Sequence, residues 1–64
     1  VPGKWKVERN GINNKSMFAV YRLKDTLAVD HSGNREYATG YMEDSAEAHE
    51  IAERMNNENM KIGG

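Results

Sequence analysis

The chain has 64 residues, carries a formal net charge of −1, and is 30% charged and 38% hydrophobic. That length allows one domain over 1–64, near the lower limit at which a chain folds alone, and the apolar content excludes a disordered segment. The absence of cysteine excludes a disulfide framework and a thiolate metal site, and fits a reducing, cytoplasmic setting. The longest apolar run, Met17 to Tyr21, is too short to span a bilayer, and no signal-peptide pattern is read.

Val1-Pro2-Gly3 reads as a loose lead-in. Lys4 to Arg9 alternates charged and apolar residues, with Trp5 and Val7 on one side, and predicts a half-buried strand. Asn10-Gly11 tolerates positive φ and predicts a hairpin turn, with Ile12 to Ser16 lengthening the loop. Met17 to Leu23 predicts the central strand, with Phe18 and Val20 on one face and Met17, Ala19, Tyr21 and Leu23 on the other. Asp30-His31-Ser32 with Gly33-Asn34 predicts a turn, and Arg35 to Met42 a third strand with a bulge or close approach at Gly40.

Asp44 with Glu47 three residues on predicts a capped helix start. Ala48, Ile51, Ala52 and Met55 then form one apolar stripe, Glu50 and Arg54 an i,i+4 pair, and Asn56-Asn57 a fraying end. The expectation is an α+β fold, a three-stranded antiparallel sheet packed on one C-terminal helix, with loose tails at 1–3 and 59–64. Its core holds Trp5, Val7, Val20, Ala48, Ile51, Ala52, Met55 and part of the Phe18/Tyr21 pair.

Charge is unevenly placed. Residues 1–35 carry seven basic side chains against three acidic, and residues 36–64 carry two against seven. A basic half attracts an anionic partner even when the net charge is near zero.

Chemistry-bearing patterns are few. Asp30, His31 and Ser32 are adjacent, and neighbouring side chains diverge rather than forming a nucleophilic relay. His31 and His49 lie on different elements, too few for a zinc site. The six glycines fit no phosphate-loop spacing. Lys61-Ile62-Gly63-Gly64 reads as a frayed tail rather than a modifier's diglycine. No enzyme, cofactor or metal is expected. What remains is basic residues interleaved with aromatics: Lys4, Trp5, Lys6, Arg9, Phe18, Tyr21, Arg22, Lys24, Arg35, Tyr37 and Tyr41. Lys and Arg neutralise phosphates, while aromatics pack on sugars and bases. Ordinary strand alternation also produces such a pattern.

Residues 35–56, "REYATGYMEDSAEAHEIAERMN", resemble the last strand and helix of tyrosine-recombinase arm-binding domains and plant ethylene-response-factor domains. The resemblance is carried by Gly40, Tyr41, Met42, Glu43, Asp44 and the Glu47-Ala48 pair. It implies a sheet backed by a helix and laid in the major groove of duplex DNA. Phage- or plasmid-type accessory proteins share that layout and bind another protein instead.

The expected function is thus a small non-enzymatic binding module. The first reading is duplex DNA bound through the open sheet face, with Lys4, Lys6, Arg22, Lys24 and Arg35 on phosphate and Tyr21 or Tyr37 on sugar or base. The alternative is a protein-interaction module, an adaptor or inhibitor, with a homodimer among its forms.

Overall fold

The computed structural model describes residues 1–63, and side chains over residues 1–58. Two long strands, β1 (Lys6–Ile12) and β2 (Lys15–Leu23), pair antiparallel, and a short strand, β3 (Arg35–Tyr37), adds to the other side of β2. Helix α1 (Ser45–Gly63) follows. The fold is α+β in βββα order, as expected.

The hairpin turn sits at Asn13-Asn14 rather than Asn10-Gly11. Both asparagines are left-handed, with φ of 51° and 65°, the pair of positive angles that a two-residue type I′ turn needs. Pairing decides between the two dipeptides. Turning at Asn13-Asn14 sets Val7 against Val20 and Arg9 against Phe18. A turn at Asn10-Gly11 would set Val7 against Asn14 and strand the apolar run of β2 without a partner. Asn10-Gly11 therefore lies inside β1.

Alternation then sorts the sheet's two faces. Trp5, Val7, Phe18, Val20 and Arg22 lie toward α1, while Lys6, Glu8, Met17, Ala19, Tyr21, Arg35 and Tyr37 lie on the open face. Trp5, Val20, Ala48 and Ala52 form the buried core, with Val7, Phe18, Met42, Ile51 and Met55 packed against it. Ala48 and Val20 are fully buried, and the small alanines let α1 lie close over β2. Of the Phe18/Tyr21 pair, Phe18 joins the core. Asp44 caps α1 as expected, its Oδ1 accepting the Glu47 N–H at 3.1 Å.

The helix does not end at Asn56-Asn57. The Asn56 Oδ1 accepts the Trp5 N–H at 2.8 Å, and its Nδ2 donates to the Trp5 carbonyl at 3.0 Å. Asn56 is a latch between α1 and the start of β1, so its polar side chain faces inward instead of closing the helix. Residues 1–3 are also tied in, through Gly3 N–H to the Leu23 carbonyl at 2.9 Å and Thr26 N–H to the Val1 carbonyl at 2.8 Å. The expectations for the tail at 59–64 lie outside the residues whose side chains are described.

The third strand is shorter than expected. Continuing its register would set Phe18 against Gly40, but Phe18 bridges Met42. Two extra residues therefore bulge out between Tyr37 and Met42, around Gly40. Val20 loses its ladder acceptor there, and the Thr39 hydroxyl takes its place, accepting the Val20 N–H at 3.1 Å. Thr39→Val keeps the shape and orphans that N–H, so it is expected to cost about 1–2 kcal/mol. A urea midpoint unchanged from wild type would contradict this role for Thr39.

The connection from β2 to β3 is organised by Asn34, which is buried. Its Oδ1 accepts the Asp25 N–H at 3.0 Å, and its Nδ2 donates to the carbonyls of Asp25 and Val29. Asp30-His31-Ser32 leads into a 3₁₀ turn at Ser32–Asn34, where the His31 Nδ1 accepts the Gly33 N–H at 3.0 Å. The stretch is a turn: His31 closes it, while the Asp30 carboxylate turns to Arg35.

Candidate binding face

The open face is built around one carboxylate. Glu8 sits in the middle of β1 opposite Ala19, a small residue that leaves room above it. Its side chain is only 13% exposed. Arg35 Nη1 donates to its Oε1 at 2.8 Å, the Tyr37 hydroxyl donates to Oε1 at 2.6 Å, and the Tyr41 hydroxyl donates to Oε2.

The bulge makes this convergence possible. Four residues of regular strand would separate Tyr37 from Tyr41 by about 13 Å. With two residues looped out, their ring centroids lie 6.5 Å apart, and Tyr21 extends the row at 6.0 Å from Tyr37. Arg35 lies over the Tyr21 ring at 4.8 Å and also bonds Asp30 at 2.8 Å. Each aromatic thus has a fixed neighbour, which lowers the entropy lost on binding.

The electrostatics follow. Burial pushes the Glu8 carboxyl up, but the hydroxyls of Tyr37 and Tyr41 and the Arg35 guanidinium more than reverse this and hold it below its ordinary value. The hydrogen bond to Glu8, with some burial, raises Tyr37. Arg35 is raised, first by its bond to Asp30.

The seven nominated residues divide. Lys6, Tyr21, Arg35 and Tyr37 share the open face. Arg22 does not: it points to the α1 side, lies over the Trp5 ring at 4.5 Å and bonds Glu36 at 3.1 Å. Its position in β2, two residues on from Val20 and four from Phe18, already puts it on the core parity. Lys4 and Lys24 are exposed just outside the ends of β1 and β2. Tyr41, a member of the basic-and-aromatic pattern given no contact of its own, and Glu8, outside that pattern, complete the site. The one sequence signal for Glu8 is that it shares a strand face with Lys6, and only the register reveals Ala19 opposite.

Arg35 is paired with Glu8 and Asp30, and Lys15 with Glu43. Among the described residues, Lys6 is then the one open-face strand cation outside an ion pair. Tyr37 and Tyr41 remain 45% and 37% exposed, so the face presents aromatic surface on a charge-balanced base.

Fold and face together define a small sheet-and-helix domain with a tyrosine-lined open face. Comparison with protein-family models, curated proteins and solved structures gives no match. The resemblance of residues 35–56 therefore rests on those residues alone. Among the described residues, no helix is long and apolar enough to cross a membrane.

Proposed function

We propose that this chain is a non-enzymatic protein-interaction module, acting in the cytoplasm, whose tyrosine-lined open face docks a protein partner. The observation that carries the reading is the neutralisation of Arg35 by Glu8 and Asp30, which leaves Tyr37 and Tyr41 as the outward feature, with Tyr21 half-buried beside them. Rigid aromatics on a charge-balanced surface suit a protein surface, where Tyr and Arg are enriched and unpaired charge is depleted.

Duplex DNA is the second reading. Lys4, Lys6, Arg9 and Lys24 favour it, since among the described residues they enter no ion pair. A gel-shift titration with random duplex DNA at two salt concentrations separates the readings. The protein reading expects no salt-dependent complex, and expects binding partners captured by wild type to be lost with Tyr37→Ser and kept with Glu53→Gln on the helix. A DNA complex whose affinity falls steeply with salt would overturn it in favour of phosphate binding.

A further inference from the structure

β1 is a sheet edge, and its neighbours show which of its backbone groups point outward. β2 turns the backbone of Phe18 and Val20 toward β3: Phe18 exchanges two bonds with Met42 at 2.7 Å each, and the Val20 carbonyl accepts from Ala38 at 2.9 Å. Alternation then directs Met17, Ala19 and Tyr21 toward β1, opposite Asn10, Glu8 and Lys6. The β1 residues between these, Val7, Arg9 and Gly11, aim their N–H and C=O groups away from the sheet. Trp5 follows the same alternation, and its outward N–H and C=O are the two groups that Asn56 binds. The Asn56 carboxamide thus occupies the edge as one peptide unit of a neighbouring strand would.

We propose that the rest of this edge, at Val7, Arg9 and Gly11, receives an extended acidic peptide segment by strand addition. Backbone groups spaced along an open edge select an extended chain. Charge selects its composition: Lys6 and Arg9 on this strand and Lys4 just before it are exposed and enter no ion pair among the described residues. A second copy of this chain fits less well. Antiparallel self-pairing centred on Arg9 or Glu8 sets like charges directly opposite, which is destabilising. Pairing centred on Val7 leaves only Val7 to bond, because Asn56 already holds Trp5. A register centred on Asn10 leaves only Arg9 and Gly11 to bond. This surface is additional to the tyrosine face and does not require that face to bind anything.

The test uses the full chain and a short blocked peptide of glutamate, valine and threonine, followed by amide exchange. In the free protein the amides of Val7, Arg9 and Gly11 exchange fast while those of Glu8 and Asn10 are protected. With millimolar peptide the three outward amides become protected. A lysine-for-glutamate peptide and an N-methylated version are each expected to bind about tenfold or more weakly. Arg9→Pro removes an outward N–H without breaking a ladder bond and is expected to abolish the protection; if it does not fold, the N-methylated peptide supplies the same control. Unchanged exchange at the three amides, equal binding of the lysine peptide, or shifts confined to Tyr21, Tyr37 and Tyr41 would each overturn the proposal.

Discussion

Trp5→Ala is expected to leave the protein largely unfolded at room temperature. Truncating a buried tryptophan costs about 3–5 kcal/mol, and a 64-residue domain has about 3–10 kcal/mol in total. Trp5 joins three parts of the fold. Its ring is buried with Val20, Ala48 and Ala52, which is how α1 holds β2. Arg22 packs on the ring at 4.5 Å and carries Glu36 of β3 with it. Its backbone is held by Asn56, one turn beyond Ala52 on α1. Alanine keeps the last of these and loses the first two. Trp5→Phe retains an aromatic for the core and is expected to lose much less. Urea unfolding followed by circular dichroism is the suitable measurement, because the chain has one tryptophan and the variant removes that fluorophore. A midpoint for Trp5→Ala close to wild type would show that the helix is held by something other than this ring.

The elements with local periodicity were legible in the sequence. The alternation of Trp5 and Val7 and the stripe of Ala48, Ile51, Ala52 and Met55 each mark a buried face without reference to any other segment. The hairpin turn was not legible, because Asn10-Gly11 and Asn13-Asn14 are both competent turns and only the pairing of Val7 with Val20 chooses between them. The third strand's end was hidden for a similar reason. Nothing local says that the Thr39 hydroxyl will replace a ladder carbonyl and release two residues. Asn56 looked like a helix terminator because its partner, Trp5, lies 51 residues away. The same limit applies to the candidate site. Arg22 and Arg35 are equivalent in composition, yet strand parity sends one to the core side and the other to the open face. Glu8 belongs to the site through contacts with β3 and the bulge, which no spacing within β1 announces.

Glu8→Ala is the change expected to dismantle the open face while sparing the fold. The carboxylate accepts from Arg35, Tyr37 and Tyr41, so its loss leaves a guanidinium N–H and two hydroxyls without their acceptor. The hydroxyls reach water, which limits the cost, and a loss of about 1–2 kcal/mol is expected. For a domain of this size that lowers the melting temperature by roughly 5–15 °C. Glu8→Gln keeps one acceptor oxygen and is expected to fall between the two. The pH dependence follows from the direction of the shift. Because the folded carboxyl is held below its ordinary value, its contribution is fully present above the unfolded carboxyl's value, about 4.3, and is lost as pH falls through the lower folded value. The gap in stability between wild type and Glu8→Gln is therefore expected to be constant near neutrality and to close below about pH 4. Thermal melts of both proteins between neutral and acidic pH measure that gap. If it stayed open in acid, the pairing of Glu8 with Arg35 and the two tyrosines would not be what holds the carboxylate ionised. In the neutral range, Glu8→Ala should also free the rings of Tyr37 and Tyr41 from their common anchor, so a partner bound by the tyrosine face is expected to be lost in a variant that remains folded.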